Sequence, residues 1–259
     1  MSMVEPAGSS SPNAMVDRVV LIMNAFKGSR ARLGLADVVE ATGLPRSSAH
    51  RILQQLAGAG WLEREHNGYR LGLGIFELGA LVGYRSRITH AARPLLRELS
   101  AGRYVAHLAV LDGTDVVYLD KVAGATPARL PSRVGGRVAA HATGVGKAIL
   151  AHSSNEIVDA YIARGLERYT STTLTEPGEL LAELSRIRTR GAAFDDGEAV
   201  PGVSCVAVPI FDRGAVHAAV SVCAAAESLD VQSLQGRVRA TAAAIERRLA
   251  EARLPAPST

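Results

Sequence analysis

The sequence predicts an α+β chain in which a winged helix-turn-helix precedes a second unit of helices mixed with antiparallel strands. Three observations carry this. Residues 34–72 read as two short helices, a tight turn and a β-hairpin. Residues 105–122 and 203–224 each hold two apolar, β-branched runs separated by a short glycine-containing turn. Around them, apolar residues recur at helical spacing.

Taken in order, residues 1–13, rich in Ser, Pro and Gly, read as a disordered tail. A first helix is expected from about Ala14 to Phe26, packing through Val16, Val19, Val20, Met23 and Phe26. Leu35, Val38 and Val39 form the stripe of a second helix, which Thr42-Gly43-Leu44-Pro45 stops, with Pro45 suited to the first position of the next. In that third helix Ala49, Ile52, Leu53 and Leu56 share one face, leaving Ser47, Arg51 and Gln54 opposite, with Arg46 and His50 beside them. Residues 61–64 and 69–71 pair as a wing through His66-Asn67-Gly68, where Asn-Gly favours a tight hairpin. The first domain thus spans 14–73.

Residues 74–88 carry a further stripe, Ile75, Leu78, Leu81 and Val82, expected as a linker helix despite Gly79 and Gly83. The second domain, 89–255, starts with a helix from His90 to Ser100 whose first turn holds Pro94. Strands follow at Val105–Leu111 and Val116–Val122, joined by Asp112-Gly113-Thr114-Asp115. Helices are expected at 144–153, 156–164 and 176–190, the last capped by Thr175. A hairpin of residues 203–210 and 215–224 about Asp212-Arg213-Gly214 and a long helix, 231–252, complete the chain.

The outer face of the third helix suits double-stranded DNA. Arginine can donate two parallel hydrogen bonds to guanine, glutamine can do the same to adenine, and serine can hold a phosphate. The expected contacts are Arg46, Ser47, His50, Arg51 and Gln54, with Arg70 on the wing. Charge agrees in sign: of a net +4, residues 1–90 hold ten Lys/Arg against seven Asp/Glu, and the remainder nineteen against eighteen. An apolar content of 47% over 259 residues supports two folded cores. Two cysteines, Cys205 and Cys223, are too few to suggest a disulfide framework, and no signal-like or membrane-length apolar run is present. A cytoplasmic location is expected.

Several motifs invite catalysis and fall short. The stretch from His141 to Lys147 resembles a phosphate loop, but its first glycine is replaced by His141 and Lys147 is followed by Ala148. What survives is an anion-accepting helix N-terminus at Gly144 and Val145. Gly202-Val203-Ser204-Cys205-Val206 lacks the second glycine of a nucleophile elbow. A Cys- or Ser-dependent hydrolase with an accessory DNA-binding-like domain, using His141 as base, stays open as the alternative, as does a nonspecific nucleoid-type protein. The histidines and cysteines show no metal-ligand spacing, and no cofactor motif stands out. Phe194-Asp195-Asp196-Gly197-Glu198 reads as a solvated turn; its functional reading has one carboxylate pointing inward to a ligand hydroxyl.

Val16-Asp17-Arg18, Thr42-Gly43-Leu44-Pro45-Arg46-Ser47, Tyr69-Arg70-Leu71-Gly72, Ala92-Arg93-Pro94-Leu95-Leu96, Tyr118-Leu119-Asp120-Lys121-Val122, His141-Ala142-Thr143-Gly144, Phe194-Asp195-Asp196 and Pro201-Gly202-Val203-Ser204-Cys205 resemble the IclR-type bacterial transcriptional regulators over nearly the whole chain. The resemblance implies a GAF-like C-terminal effector domain with an antiparallel sheet. It also implies a homodimer or homotetramer on a palindromic operator. Carried over motif by motif, the effector pocket is lined by Leu130, Gly144, Val145, Asp195, Val203, Cys205, Ser221 and Cys223, the last often serine in relatives. Backbone donors at Gly144 and Val145 with the Ser221 hydroxyl suit a small carboxylate, and Asp195 a hydroxyl at its far end. The expected function is a repressor of a catabolic gene cluster, controlled by an aliphatic or aromatic acid.

Overall fold

A computed structural model describes residues 14–28, 32–101, 103–124, 130–228 and 231–252. The expected tail, 1–13, lies outside them. The chain divides into two compact units, Met1–Gly83 and Tyr84–Thr259.

In the first unit, α1 (Met15–Ala25), α2 (Leu35–Thr42) and α3 (Arg46–Gly58) surround a core of Ile22, Val38, Ala49, Ile52, Leu53 and Leu56. Val19, Met23 and Phe26 pack on this core as expected, whereas Val16 and Val20 are exposed and Ile22 is the buried residue of α1. Gly43 ends α2 in the left-handed conformation at φ 67°, and its amide donates to Val39 O at 2.9 Å. Pro45 caps α3 from one position before the helix, rather than from its first residue.

The wing pairs β1 (Leu62–Glu65) with β2 (Gly68–Leu71), and Glu65 faces Gly68 across a two-residue turn of His66 and Asn67. Gly68 is therefore not the centre of the turn. Its φ is 150°, and a Cβ there would stand 2.5 Å from Leu33 O, because Leu33 bridges to Tyr69. Gly68→Ala is expected to destabilise this unit by about 1–3 kcal/mol, read as a lower midpoint for its unfolding transition; an unchanged midpoint would refute the close-approach explanation.

The linker stripe does not form one helix. α4 covers Leu73–Ala80, the α-helical pattern is interrupted at Leu81 and Val82, whose amides donate to Leu78 O and Gly79 O, and α5 runs Gly83–Ser100. Pro94 consequently sits inside α5, not in a first turn.

The second unit is built on a six-stranded antiparallel sheet in the order β5-β4-β3-β8-β7-β6. Its strands are β3 (Val105–Asp112), β4 (Asp115–Ala123), β5 (Arg137–Ala139), β6 (Ala193–Asp196), β7 (Val203–Asp212) and β8 (Ala215–Ala225). Both faces are covered. Leu108, Val206, Val220 and Val222 pack with Ile88 and Leu96 of α5 and Val238 and Ile245 of α9 (Val231–Glu251). The opposite face presents Ala109, Ala207 and Ala219 to α6 (Gly144–Leu150), with α7 (Asn155–Ile162) and α8 (Pro177–Arg190) completing that layer. Because side chains alternate across a strand, strands buried on both faces read as continuous apolar runs. The edge strands β5 and β6 escape that pattern. Glu176, not Thr175, caps α8, with Pro177 in its first turn. No helix of the described residues is long and apolar enough to cross a membrane.

Candidate effector cavity and DNA-contacting face

In the first unit, the core-facing residues of α3 fix its outer face. Arg46, Ser47, Arg51 and Gln54 are exposed, and His50 is half-buried. Neither Arg46 nor Arg51 forms an ion pair among the described residues. Arg70 differs: its guanidinium is held by Glu65, at 2.9 Å, and by Glu63 across the wing. The face of α3 offers unneutralised cations, whereas the wing arginine is engaged by two carboxylates.

In the second unit, the alanines beneath α6 give way along the same strand faces to larger and more polar residues. His107 on β3, Ser221 and Cys223 on β8, and Val203 and Cys205 on β7 form the floor of a cavity of about 360 Å³. Close packing of α6 makes this possible. A Cβ on Gly144 would meet Ala207 Cβ at 3.3 Å, and one on Gly146 would stand 2.1 Å from Ala140 O. At the start of α6, Thr143 Oγ1 accepts from Gly146 N at 3.1 Å, and Thr143 O accepts from Lys147 N at 2.9 Å. The first two helical amides, on Gly144 and Val145, precede any intrahelical acceptor, and both residues line the cavity.

All eight residues inferred from the motifs, Leu130, Gly144, Val145, Asp195, Val203, Cys205, Ser221 and Cys223, meet on this one cavity. The stretch expected as a solvated turn is strand β6 and a buried loop, since Asp195 and Glu198 both lie inside. Asp195 Oδ1 accepts from Glu198 N at 2.8 Å. Burial pushes the Asp195 carboxyl up to about 7; the hydrogen bond from the Glu198 amide and the Lys147 charge oppose the rise, while the Glu198 and Asp196 charges add to it. Glu198 in turn pairs with the buried Lys147, while its second oxygen, Oε2, has no hydrogen-bond partner among the described residues.

Two expectations about the cysteines and His141 are corrected. Cys205 and Cys223 are cross-strand partners joined as a disulfide, not separate thiols. His141 has both ring nitrogens engaged, Nδ1 with Tyr161 Oη at 2.7 Å and Nε2 with Glu167 O at 2.9 Å. Ser204 Oγ donates to Asp196 at 2.7 Å. The imagined base and nucleophiles are thus each committed elsewhere.

A family model for the bacterial transcriptional regulator IclR C-terminal region matches residues 82–247, and one for the IclR helix-turn-helix domain matches residues 15–66. The chain belongs to the IclR family. Among relatives of this IclR-family regulator is the HTH-type transcriptional regulator BhcR of Paracoccus denitrificans, 35% identical over 80% of this chain and 76% of that one. The transcriptional repressor IclR of Escherichia coli is 34% identical over 81% and 80%. An IclR homolog from Microbacterium hydrocarbonoxydans, solved in complex with 4-hydroxybenzoate, superposes with a TM-score of 0.85 at 28% identity, covering 92% of this chain and all of the other.

Family membership sets the hydrolase reading aside: the IclR-family regulator is a DNA-binding transcription factor, not an enzyme. Motif reading missed part of its cavity wall. His107, Tyr118, Ser132, Thr143 and Tyr169 also line it. His107 is buried and hydrogen-bonds Ser132 Oγ through Nε2 at 2.8 Å; burial and the Lys121 charge push its pKa down to about 3. Its position was legible in principle, since it shares strand parity with Ala109 and pairs with Ser221.

Proposed function

We propose that this IclR-family regulator is a cytoplasmic repressor of a catabolic gene cluster, that it binds a palindromic operator as a homodimer or homotetramer, and that a small carboxylate in the cavity controls it. The observation that carries the effector reading is the cavity's polar set on apolar walls. Two amides without intrahelical partners and the Ser221 hydroxyl suit a carboxylate, and Leu130 and Val203 suit an aliphatic or aromatic body. The 4-hydroxybenzoate complex of the Microbacterium homolog supports an acid of that size. Exposed Val16 and Val20 on α1 and Leu73 and Phe76 on α4 supply the apolar surface that we assign to self-association. The ligand must favour one arrangement of the paired DNA-binding units, since equal affinity for both shifts nothing. We place that coupling in residues 74–88.

A thermal-shift panel of small organic acids, with 4-hydroxybenzoate first, tests the effector reading. A ligand that binds only the folded state raises the melting temperature, and a panel without any shift would sink it. For the DNA-binding face we infer direct contacts from Arg46, Ser47, His50, Arg51 and Gln54, with Arg70 at the wing. Arg51→Ala is expected to cost about 1–3 kcal/mol of discrimination between operator and random DNA. Competition binding at fixed salt measures this, and an unchanged operator preference removes Arg51 from the base-contacting set.

A further inference from the structure

The cavity floor holds a chemistry that ligand binding leaves unused. Cys205 and Cys223 have Cα atoms 4.2 Å apart on adjacent strands, with sulfurs joined, and both line the cavity. His107 Nδ1 lies 3.6 Å from Cys223 Sγ, and its Nε2 reaches Ser132 Oγ. Lys121 Nζ donates to the carbonyls of Leu130, at 3.2 Å, and Ser132. The 130–132 stretch of cavity wall therefore hangs on two side chains, and one of them touches the sulfur pair.

Location and access together give this pair a role beyond packing. A disulfide sealed in a core can be neither made nor broken by a small reagent; this one faces a space large enough to admit one. In a reducing compartment, moreover, disulfides are characteristically transient and redox-sensing. That second step rests on the proposed cytoplasmic, DNA-binding role.

We propose that Cys205 and Cys223 form a reversible thiol–disulfide switch in the effector cavity, oxidised by a small peroxide, reduced by a small thiol, and relayed through His107 to Ser132. In oxidation, one cysteine gives up its proton and its sulfur attacks an oxygen of hydrogen peroxide; the O–O bond breaks, the departing hydroxide takes up that proton and leaves as water, and a sulfenic acid remains. The second thiol attacks that sulfur, the S–O bond breaks and a second water departs with the thiol proton. Two thiols and one peroxide thus become one disulfide and two waters. In reduction, two equivalents of small thiol return both sulfurs to thiols and leave as their own disulfide.

The relay is a proton position. With Cys223 reduced, its S–H donates to Nδ1, so the ring proton sits on Nε2 and is donated to Ser132 Oγ. With Cys223 oxidised, the sulfur has no proton to give; Nδ1 carries the proton toward it, and Nε2 accepts from the Ser132 hydroxyl. Both states need a neutral ring, which burial beside Lys121 enforces.

The test uses the full chain treated with dithiothreitol or with hydrogen peroxide. Alkylation followed by intact mass is expected to label both cysteines in the first and neither in the second. Trypsin nicking after the exposed Arg133, next to Ser132, is expected to differ several-fold between the two forms, and nitrogen NMR to move the His107 proton from Nε2 to Nδ1. In Cys223→Ser the nicking rate is expected to be the same after either treatment. Cysteines that stay alkylatable after peroxide, a pair that dithiothreitol cannot open in the native chain, or equal nicking with an unmoved proton would each overturn the proposal. None of these readouts involves DNA. A chain that switches yet prefers no operator would therefore overturn the regulator reading and not this one.

Discussion

Lys147→Met is expected to destabilise the second unit by about 3–5 kcal/mol. Lys147 is buried in α6 and pairs with Glu198, whose other oxygen already lacks a hydrogen-bond partner among the described residues. Removing the ammonium leaves a carboxylate in a low-dielectric site, the costly half of breaking a buried pair. Two signatures separate this from simple loss of packing. The deficit shrinks as pH falls, because burial raises the Glu198 pKa and protonation discharges the orphaned group. The double substitution Lys147→Met with Glu198→Leu recovers most of the loss, since an apolar replacement of both partners is often close to neutral. Calorimetry on the full chain, read as a double-mutant cycle, decides it: a double variant no more stable than Lys147→Met alone would refute the orphaned-charge account.

Asp195→Asn is expected to raise stability progressively as pH climbs above about 4, by on the order of 4 kcal/mol at most once pH passes about 7. The sign follows from linkage. The native carboxyl binds its proton more tightly than the unfolded one, with a pKa raised from 3.8 to about 7. The native state is therefore favoured fully below the unfolded pKa, and that advantage is lost as pH rises through about 7. Asparagine keeps an oxygen for the Glu198 amide without the buried charge. Melting temperatures of the two proteins should converge below about pH 4, draw apart as pH rises to about 7, and keep a constant separation above it. Curves parallel across that range would show that Asp195 is not the titrating group.

Legibility in the sequence divided by sequence separation and by strand length. The helix-turn-helix was readable because its signals are local: the apolar stripe of α3, Gly43 at the helix end and Pro45 beside it. The paired strands β3–β4 and β7–β8 were readable from their apolar runs and short turns. β5 and β6, three and four residues long, were not. In β6 two aspartates carry the chemistry of a turn, and only pairing with β7 makes that segment a strand. Lys147 defaults to the surface on residue type alone; its partner Glu198 lies 51 residues away. That eight of the residues lining the cavity belong together was readable only through family motifs, since periodicity alone says nothing of which strand faces share a void. His107 lay outside those motifs and became visible only through its register with Ser221.

The alanine patch beneath α6 separates two tasks along the same strands. Ala109, Ala207 and Ala219 set how closely α6 can lie, while His107, Cys205 and Ser221, two residues away on the same faces, set what the cavity meets. One end of each strand is thus answerable to the architecture and the other to chemistry. Such a division lets new chemical selectivity arise from changes at Val203 or Ser221 while the scaffold stays as it is. It makes this sheet a platform on which ligand preference can drift faster than fold.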